Sequence, residues 1–246
     1  MVLRANREKT GLFTLEGPKV INEAFEKGIK INDVIVSRTY LKDGLANFDQ
    51  SNVTAINVVE DKVFEKLATT TTSCGVIAVG AMRQYKLEDC LKGATPLVVV
   101  GEAIQDPGNA GTLIRSAQAF GATGVILTKG SVDPYNPKVV RSAMGALFSV
   151  PVVVDVKATE ALDQLRKRDI KVYALDAKKG ARGFWEVDVK EPIALVFGNE
   201  GHGFDPETLL LATDIVTIPI TDLTESLNVA VSASIVLFHC YKVRSH

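Results

Sequence analysis

Residues that could do chemistry gather in three short polar turns of the chain. The turn DPGNAGTLIR carries Asn109 and Arg115, FGNEGHGF carries Glu200 between glycines, and TESLNV carries Ser226 and Asn228. Arginine can hold a phosphate through two parallel hydrogen bonds, and a carboxylate accepts N–H donors. Glycines let a turn bring its backbone close to a ligand, because they lack a side chain and tolerate strained angles. The turns therefore indicate a binding site for a ligand with an anionic group.

Each turn also has a structural interpretation that the residues alone leave open. Asn109 could simply cap the helix that follows DPG, and Ser226 could cap the last helix of the chain. The glycines of FGNEGHGF could form only a tight connection from a strand to a helix. Arg115 lies among apolar residues, where a guanidinium is costly to bring near a core without an anion. The coincidence of three such turns favours a site.

The elements that must position these turns follow from the sequence beyond Pro96. This part of the chain contains apolar runs in which polar residues do not alternate. Such runs are typical of strands buried on both faces of a parallel sheet. Segments with helical spacing, such as AGTLIRSAQAFG and TEALDQLRKRD, lie between the runs. The runs are LVVVGEA, GVILTK, PVVVDV, KVYALDA, PIALVFG and IVTIPI. The pattern predicts a doubly wound α/β domain, whose ligand lies beyond the carboxyl ends of the strands. The polar turns fall at these ends.

The front of the chain predicts smaller elements. EGPKVINEAFEKG and EDKVFEKLA have helical spacing, whereas INDVIVS and CGVIAVG are typical of short strands. The polar segment 83–96 is interpreted as a linker, so we expect a small α/β domain over residues 1–90 and a larger domain over residues 91–246. The hydroxyl-rich loop from Thr69 to Ser73 is more typical of a solvated turn than of an RNA-contacting edge.

Composition bears on the class of protein. The net charge of -1 argues against a surface that grips a phosphate backbone everywhere, and leaves room for a local basic patch. No run approaches the roughly 20 apolar residues of a membrane helix, and MVLRANREKTG lacks the apolar core of a secretory signal. We therefore expect a cytoplasmic protein. Cys74, Cys90 and Cys240 are far apart and lack histidines at metal spacing, so neither a disulfide framework nor a bound metal is expected.

Two common site patterns do not fit. The glycines of GEAIQDPGNAGT miss the G-x-G-x-x-G spacing of a dinucleotide site, and Lys129 stands where a ribose-binding acid would be needed. There is no G-x-S-x-G elbow for a nucleophilic serine, and the histidines have no partner motif. These patterns disfavour a dehydrogenase and a serine hydrolase.

Taken in order with their flanking residues, the three turns resemble a known family. DPGNAGTLIRSAQAFGATGVIL, LVFGNEGHGF and IPITDLTESLNVAVSASIVLF are similar to the three signature motifs of the SpoU (TrmH) family of RNA 2'-O-ribose methyltransferases, in the SPOUT class. NPKVVRSAMGALFSVPV resembles that family as well, and FTLEGPKVINEAFEKGIKINDVIVS is similar to its small ribosomal-protein-like substrate-binding domain. Where relatives often carry Ala-Ala-Gly after SLNVAV, this chain has Ser232, Ala233 and Ser234, which keep the small size that helix packing needs.

The resemblance implies a fold, a cofactor and a reaction. A methyl group would pass from S-adenosyl-L-methionine to a ribose 2'-hydroxyl of RNA, without a metal. The parallel sheet would contain a trefoil knot, and the knotted domain would form a homodimer. Matching positions place the cofactor at Gly198, Ile218 and Leu227, with Leu195 and Ser226 nearby.

The same resemblance implies catalytic roles. Arg115 would clamp the RNA phosphate next to the target, and its permanent charge would stabilise the developing alkoxide. Asn109 and Asn228 would fix the ribose and the loops. Glu200 would orient Arg115 or the substrate, and the proton would leave through phosphate, Glu200 or water.

Two alternatives remain at this level. The chain could methylate transfer RNA, although its front domain resembles those of ribosomal RNA enzymes and so favours the large ribosomal subunit. It could also be a non-catalytic RNA-binding or ribosome-assembly protein of the same fold. The presence of every polar motif residue favours an enzyme.

Overall fold

The computed structural model describes residues 3–43, 53, 55–70, 72–177 and 180–245. The chain forms two compact units, which are Met1–Arg83 with Asp133–Ser149, and Gln84–Val132 with Val150–His246. The single boundary near residue 90 stays a prediction, since a short stretch from the middle of the chain groups with the front unit.

The first unit is a four-stranded sheet with helices. Its helices are α1 (Arg4–Thr10), α2 (Pro18–Glu26), α3 (Arg38–Asp43), α4 (Asp61–Leu67) and α6 (Pro137–Ala143). Its strands are β1 (Leu12–Glu16), β2 (Ile31–Ser37), β3 (Ala55–Val59) and β4 (Val76–Ala81), in the spatial order β1-β4-β2-β3. The β2–β3 pair is parallel, whereas β1–β4 and β2–β4 are antiparallel. The two helices and two strands predicted for the front of the chain are confirmed as α2, α4, β2 and β4, whereas α1, α3, β1 and β3 were not predicted.

The stretch Asp133–Ser149 is joined to the rest of this unit by buried contacts. The ring centre of Phe13 lies 4.8 Å from that of Tyr135 and 6.0 Å from that of Phe148. The buried guanidinium of Arg7 donates a hydrogen bond of 2.7 Å from Nε to Asp133. Burying this cation without its carboxylate would be strongly unfavourable, so the pair fixes the stretch to α1.

The second unit contains a seven-stranded sheet in which every pair is parallel. Its strands are β5 (Leu97–Gly101), β6 (Gly124–Leu127), β7 (Val152–Val154), β8 (Lys171–Leu175), β9 (Arg182–Gly183), β10 (Ile193–Phe197) and β11 (Asp214–Thr217), in the spatial order β7-β6-β5-β10-β8-β11-β9. Its helices are α5 (Pro107–Ala119), α7 (Ala158–Arg166), α8 (Pro206–Leu211) and α9 (Val229–Arg244). All residues of β5 and β10 are buried. The prediction of a parallel α/β domain is therefore confirmed.

The predicted linker is partly wrong. Within segment 83–96, Leu87–Leu91 forms a short 3-10 helix, and Leu87 and Cys90 are buried in the apolar core under the parallel sheet. A Cβ atom on Gly124 would lie 2.3 Å from the Cys90 sulfur, so only glycine fits at that point of β6. The polar residues that suggested a linker lie on the outer side of this helix.

The helix caps also differ from those considered in the sequence. Asp106 is the N-cap of α5, and its carboxylate accepts a hydrogen bond of 2.8 Å from the backbone N–H of Asn109. Asn228 rather than Ser226 is the N-cap of α9. The Asn109 side chain is therefore free of capping and available for other contacts. In the part of the chain that the structure describes, no helix is both long and apolar enough to cross a membrane.

Candidate active site

A cavity of about 440 Å³ lies at the carboxyl ends of β8, β10 and β11 in the second unit. Its wall consists of the ends of these strands and the segments that leave them, of residues just before and within the first turn of α9, and of Asn109 at the start of α5. This is where a parallel α/β sheet is expected to bind its ligand, because the loops at the carboxyl edge diverge and leave a crevice. The volume lies in the range of about 300–1,000 Å³ that is usual for small-molecule sites.

Four of the five residues predicted to contact the cofactor line this cavity. They are Gly198, Ile218, Ser226 and Leu227. Leu195 does not line it, because it lies in the middle of β10, where it is paired with Val99 and Tyr173 and is fully buried. Leu195 thus supports the strand that ends at the cavity instead of forming its surface.

The glycine-rich turn after β10 is closed on itself. Asn199 and Gly203 exchange backbone hydrogen bonds of 2.8 and 3.0 Å. The Asn199 side-chain oxygen accepts hydrogen bonds from the backbone N–H groups of Gly201 and His202, and its amide donates one of 2.7 Å to the carbonyl of Ala103. The turn therefore has one defined shape, which is tied to the segment that leaves β5.

Glu200 connects this turn to the start of α5. Its carboxylate accepts hydrogen bonds of 3.2 Å from the backbone N–H groups of Gln105 and Asp106, and one of 3.0 Å from the side-chain amide of Asn109. Partial burial raises the pKa of Glu200, but the hydrogen bonds from Asn109, Gln105 and Asp106 outweigh it and lower the pKa below its ordinary value of 4.5. Glu200 is therefore ionised at neutral pH and is a weak base.

Asn109 also links the third polar turn to the other two. Its side-chain oxygen accepts a hydrogen bond of 2.9 Å from the amide of Asn228. The oxygen of Asn228 in turn accepts hydrogen bonds of 2.9 and 3.3 Å from the backbone N–H groups of Ala230 and Val231, which caps α9. Glu200, Asn109 and Asn228 thus form a continuous chain of hydrogen bonds along one side of the cavity.

Arg115 stands apart from this chain. It lies on an exposed face of α5, does not line the cavity and is not among the hydrogen-bond partners of Glu200. The interpretation that Glu200 orients Arg115 therefore has no support within a single chain. Being exposed, the guanidinium is available to a ligand that reaches α5 from solvent.

Several residues of the cavity wall were missed by the sequence analysis. Leu175 ends β8, Asp176 and Ala177 follow it, and Thr217 ends β11. The signal that could have identified them was the position of KVYALDA among the parallel strands, because every strand of such a sheet ends at the same edge. Within the described residues, no group of three or more His, Cys, Asp or Glu side chains is placed to hold a metal ion.

Comparison with known proteins adds to this geometry. Residues 96–238 match the SpoU rRNA Methylase family, and residues 2–78 match the MRM3-like substrate binding domain. The 23S rRNA (guanosine(2553)-2'-O)-methyltransferase RlmP of Bacillus subtilis is 34% identical over 238 residues, which cover 96% of this chain and 91% of that protein. The mitochondrial rRNA methyltransferase 3 of Mus musculus is 32% identical in an alignment of 286 residues, gaps included, that spans 96% of this chain and 68% of that protein.

Solved structures agree with the sequence matches. The SpoU methyltransferase AviRb from Streptomyces viridochromogenes, in complex with the cofactor AdoMet, superposes with a TM-score of 0.87 at 27% identity. The alignment covers 99% of this chain and 94% of that chain. The similarity therefore extends over both units.

Proposed function

Because the chain belongs to the SpoU family of RNA methyltransferases, we propose that it transfers a methyl group from S-adenosyl-L-methionine to a ribose 2'-hydroxyl of large-subunit ribosomal RNA. The observation that carries the proposal is the cavity at the carboxyl edge of the sheet, with the hydrogen-bonded chain of Glu200, Asn109 and Asn228 along its side. All three polar motifs of the sequence meet there.

The residues of the cavity suit the cofactor. Ile218 and Leu227 offer apolar surface for a flat ring, while the backbone around Gly198 and the segment after β8 offer N–H and C=O groups. When bound, S-adenosyl-L-methionine supplies a methyl group that is already activated by its sulfonium. The protein then has to align the ribose oxygen with that methyl group and assist the departure of a proton.

The polar residues divide this work. Asn109 and Asn228 hold the segments around the ribose, and Glu200 keeps the turns together as an ionised acceptor. Because its pKa is lowered, Glu200 is ionised at neutral pH, so its carboxylate has room for a proton, and the proton leaves through Glu200, the adjacent RNA phosphate or water. Arg115 acts through the RNA by holding the phosphate next to the target ribose, and its charge favours the developing alkoxide.

The proposal also includes a homodimer that forms through the second unit. The resemblance to the SpoU family implies that this unit contains a trefoil knot. Val231, Phe238 and Tyr241 lie along one side of α9 and are 47%, 54% and 48% exposed. Phe120, at the end of α5, lies 5.8 Å from Phe238 and 6.2 Å from Tyr241 between ring centres. Contiguous exposed apolar surface of this kind is typical of protein interfaces.

The three cysteines are free, which fits a cytoplasmic protein.

The test is methyl transfer by the purified full-length chain. Labelled S-adenosyl-L-methionine is incubated with unmodified large-subunit ribosomal RNA and, separately, with unmodified transfer RNA, and 2'-O-methylated nucleotides are mapped. Label at one ribose of ribosomal RNA, missing from cells without the gene, is the expected result. Label only in transfer RNA would favour the alternative substrate, and cofactor binding without transfer to either RNA would favour a non-catalytic protein.

A further inference from the structure

A second cavity, of about 210 Å³, lies entirely within the first unit. Val20, Ile77, Val140 and Met144 give it an apolar lining, and Cys74 lies at its exposed side. Val140 and Met144 come from the stretch Asp133–Ser149, so the cavity exists only because that stretch joins the front unit.

Two cations and one carboxylate also line this cavity. Lys19 and Arg141 are both exposed, and neither side chain has an ion pair or hydrogen bond within the described residues. Exposed cations that make no direct ion pair or hydrogen bond beside an apolar cavity suit a ligand that has a flat apolar part and flanking phosphates. Arginine is especially suited to such a ligand, because its planar guanidinium can stack on a ring as well as bind phosphate.

The carboxylate of Glu16 uses only part of its capacity to accept hydrogen bonds. Its Oε2 atom accepts hydrogen bonds of 2.9 and 2.6 Å from the backbone N–H and the hydroxyl of Thr69, and its Oε1 atom accepts one from the hydroxyl of Thr70. A carboxylate has about four acceptor positions, so Oε1 can accept one further N–H group. Burial raises the pKa of Glu16, but the threonine hydrogen bonds and the charge of Arg141 lower it further than burial raises it, so the group is ionised at neutral pH.

We propose that this cavity binds an unpaired nucleobase of the RNA substrate that carries an exocyclic amino group, with Lys19 and Arg141 on the adjacent phosphates. Unpaired RNA bases are typically recognised by stacking on aromatic rings or arginine guanidinium planes and by hydrogen bonds to their edges. A carboxylate accepts readily from the amino group of cytosine. Uracil has no amino group, and its single ring N–H lies between two carbonyl oxygens that the carboxylate repels. The inference rests on the proposed function, since it assigns the cavity a part in selecting the RNA.

Cys74 provides the readout. It is the exposed cysteine of the chain, whereas burial raises the pKa of Cys90 and of Cys240 to about 12, which makes these two thiols slow to react. The alkylation rate of Cys74 in the full-length protein is measured with six-residue oligocytidylate, with six-residue oligouridylate and with unmodified large-subunit ribosomal RNA. Oligocytidylate should protect Cys74 at a concentration about tenfold lower than oligouridylate, as expected for one hydrogen bond to a charged group. Absence of protection by oligocytidylate and by ribosomal RNA would overturn the proposal.

Two variants test the roles of the side chains. Glu16→Gln replaces one acceptor by an N–H₂ group, which suits the carbonyls of uracil, so the preference for oligocytidylate should vanish or reverse. Arg141→Ala should weaken both oligonucleotides alike and reduce the salt dependence of binding by about one phosphate contact. Lys62→Ala is the matched control, because Lys62 is an exposed lysine of the same unit outside the cavity. An unchanged preference in Glu16→Gln would contradict the assigned hydrogen bond and with it the proposal.

Methyl transfer on the same preparations separates this inference from the proposed function. Transfer to ribosomal RNA without protection of Cys74 would leave the function standing and overturn the cavity's role. Selective protection that Glu16→Gln abolishes, without transfer to any RNA, would support the cavity and contradict the proposed function.

Discussion

The carboxylate of Glu200 accepts a hydrogen bond of 3.0 Å from the side-chain amide of Asn109, 91 residues earlier in the chain. The same carboxylate holds two backbone N–H groups at the start of α5. The turn that follows β10 is thus fastened to the segment that follows β5. Since both segments border the cavity, its shape depends on an ionised carboxylate.

This dependence predicts a pH effect on stability. Glu200→Gln should lower the free energy of unfolding at neutral pH, because an N–H₂ group would face donors that now meet an acceptor. The folded-state pKa of Glu200 is below 4.5, so the contribution of the carboxylate is fully present above that pH and is lost as the pH falls through the folded-state value. Urea unfolding of wild type and Glu200→Gln should give a difference that is largest at pH 7 and shrinks toward about pH 3.5. A difference of equal size at both pH values would contradict the role of the ionised form.

Two glycines of the same turn should respond differently to substitution by alanine. A Cβ atom on Gly198 would lie 2.8 Å from the backbone carbonyl of Gly203, so the turn would have to shift. A Cβ atom on Gly201 would lie 3.5 Å from the Asn199 side-chain oxygen, an ordinary contact. Calorimetry with S-adenosyl-homocysteine should show a loss of affinity of about tenfold or more for Gly198→Ala and little change for Gly201→Ala. Equal affinities in two folded variants would place the cofactor elsewhere.

Most strands and helices of the second unit could be predicted because their sequence patterns are local. Strands such as LVVVGEA and PIALVFG are apolar on both faces, and such runs have few alternatives to a buried parallel sheet. What the sequence analysis missed depended on tertiary contacts. Cys90 can be buried against β6 because Gly124 has no side chain, and no local pattern encodes that pairing.

The site was predicted in part for the same reason. The three polar turns meet at one edge because parallel strands end there, which the order of runs already implied. The sequence did not decide whether the Asn109 side chain contacts the other polar turns, because an asparagine near the start of a helix is often its N-cap. It became distinguishable only once Asp106 was found to hold the cap. The exposure of Arg115 depends on which face of α5 packs on the sheet, and its apolar neighbours suggested the opposite face.

Arg115 should affect methyl transfer without affecting cofactor affinity. Arg115→Ala should reduce single-turnover transfer by about 10²-fold or more, whereas Arg115→Lys keeps the charge and should retain part of the activity. Affinity for S-adenosyl-homocysteine should not change, because Arg115 lies outside the cavity. Arg166→Ala, at an exposed arginine on α7, is the matched control. Full activity of Arg115→Ala on saturating RNA would exclude a central role for this residue.

The exposed face of α9 predicts a charge-sensitive dimer. Phe238→Asp would place a carboxylate in the apolar stripe with Val231 and Tyr241, and burying it in an interface would be costly. Light scattering should therefore show a dimer for the wild type and a monomer for the variant. Leu210→Asp on α8 is the control, since Leu210 is 81% exposed but lies outside the stripe. A wild-type monomer, or dissociation by Leu210→Asp alone, would contradict the assigned interface.

Removal of residues 1–83 should leave the second unit with the stretch Asp133–Ser149 exposed, because that stretch packs against the removed residues. Asp133–Ser149 would lose its partners, including the ring of Phe13 beside Tyr135 and the guanidinium of Arg7 beside Asp133. The fragment 84–246 should therefore bind a hydrophobic dye and aggregate. The matched variant also replaces residues 133–149 by a glycine-serine linker, and it should bind less dye while keeping affinity for S-adenosyl-homocysteine, because the cavity residues all lie outside that stretch. Equal dye binding by the two fragments would show that Asp133–Ser149 does not depend on the front unit.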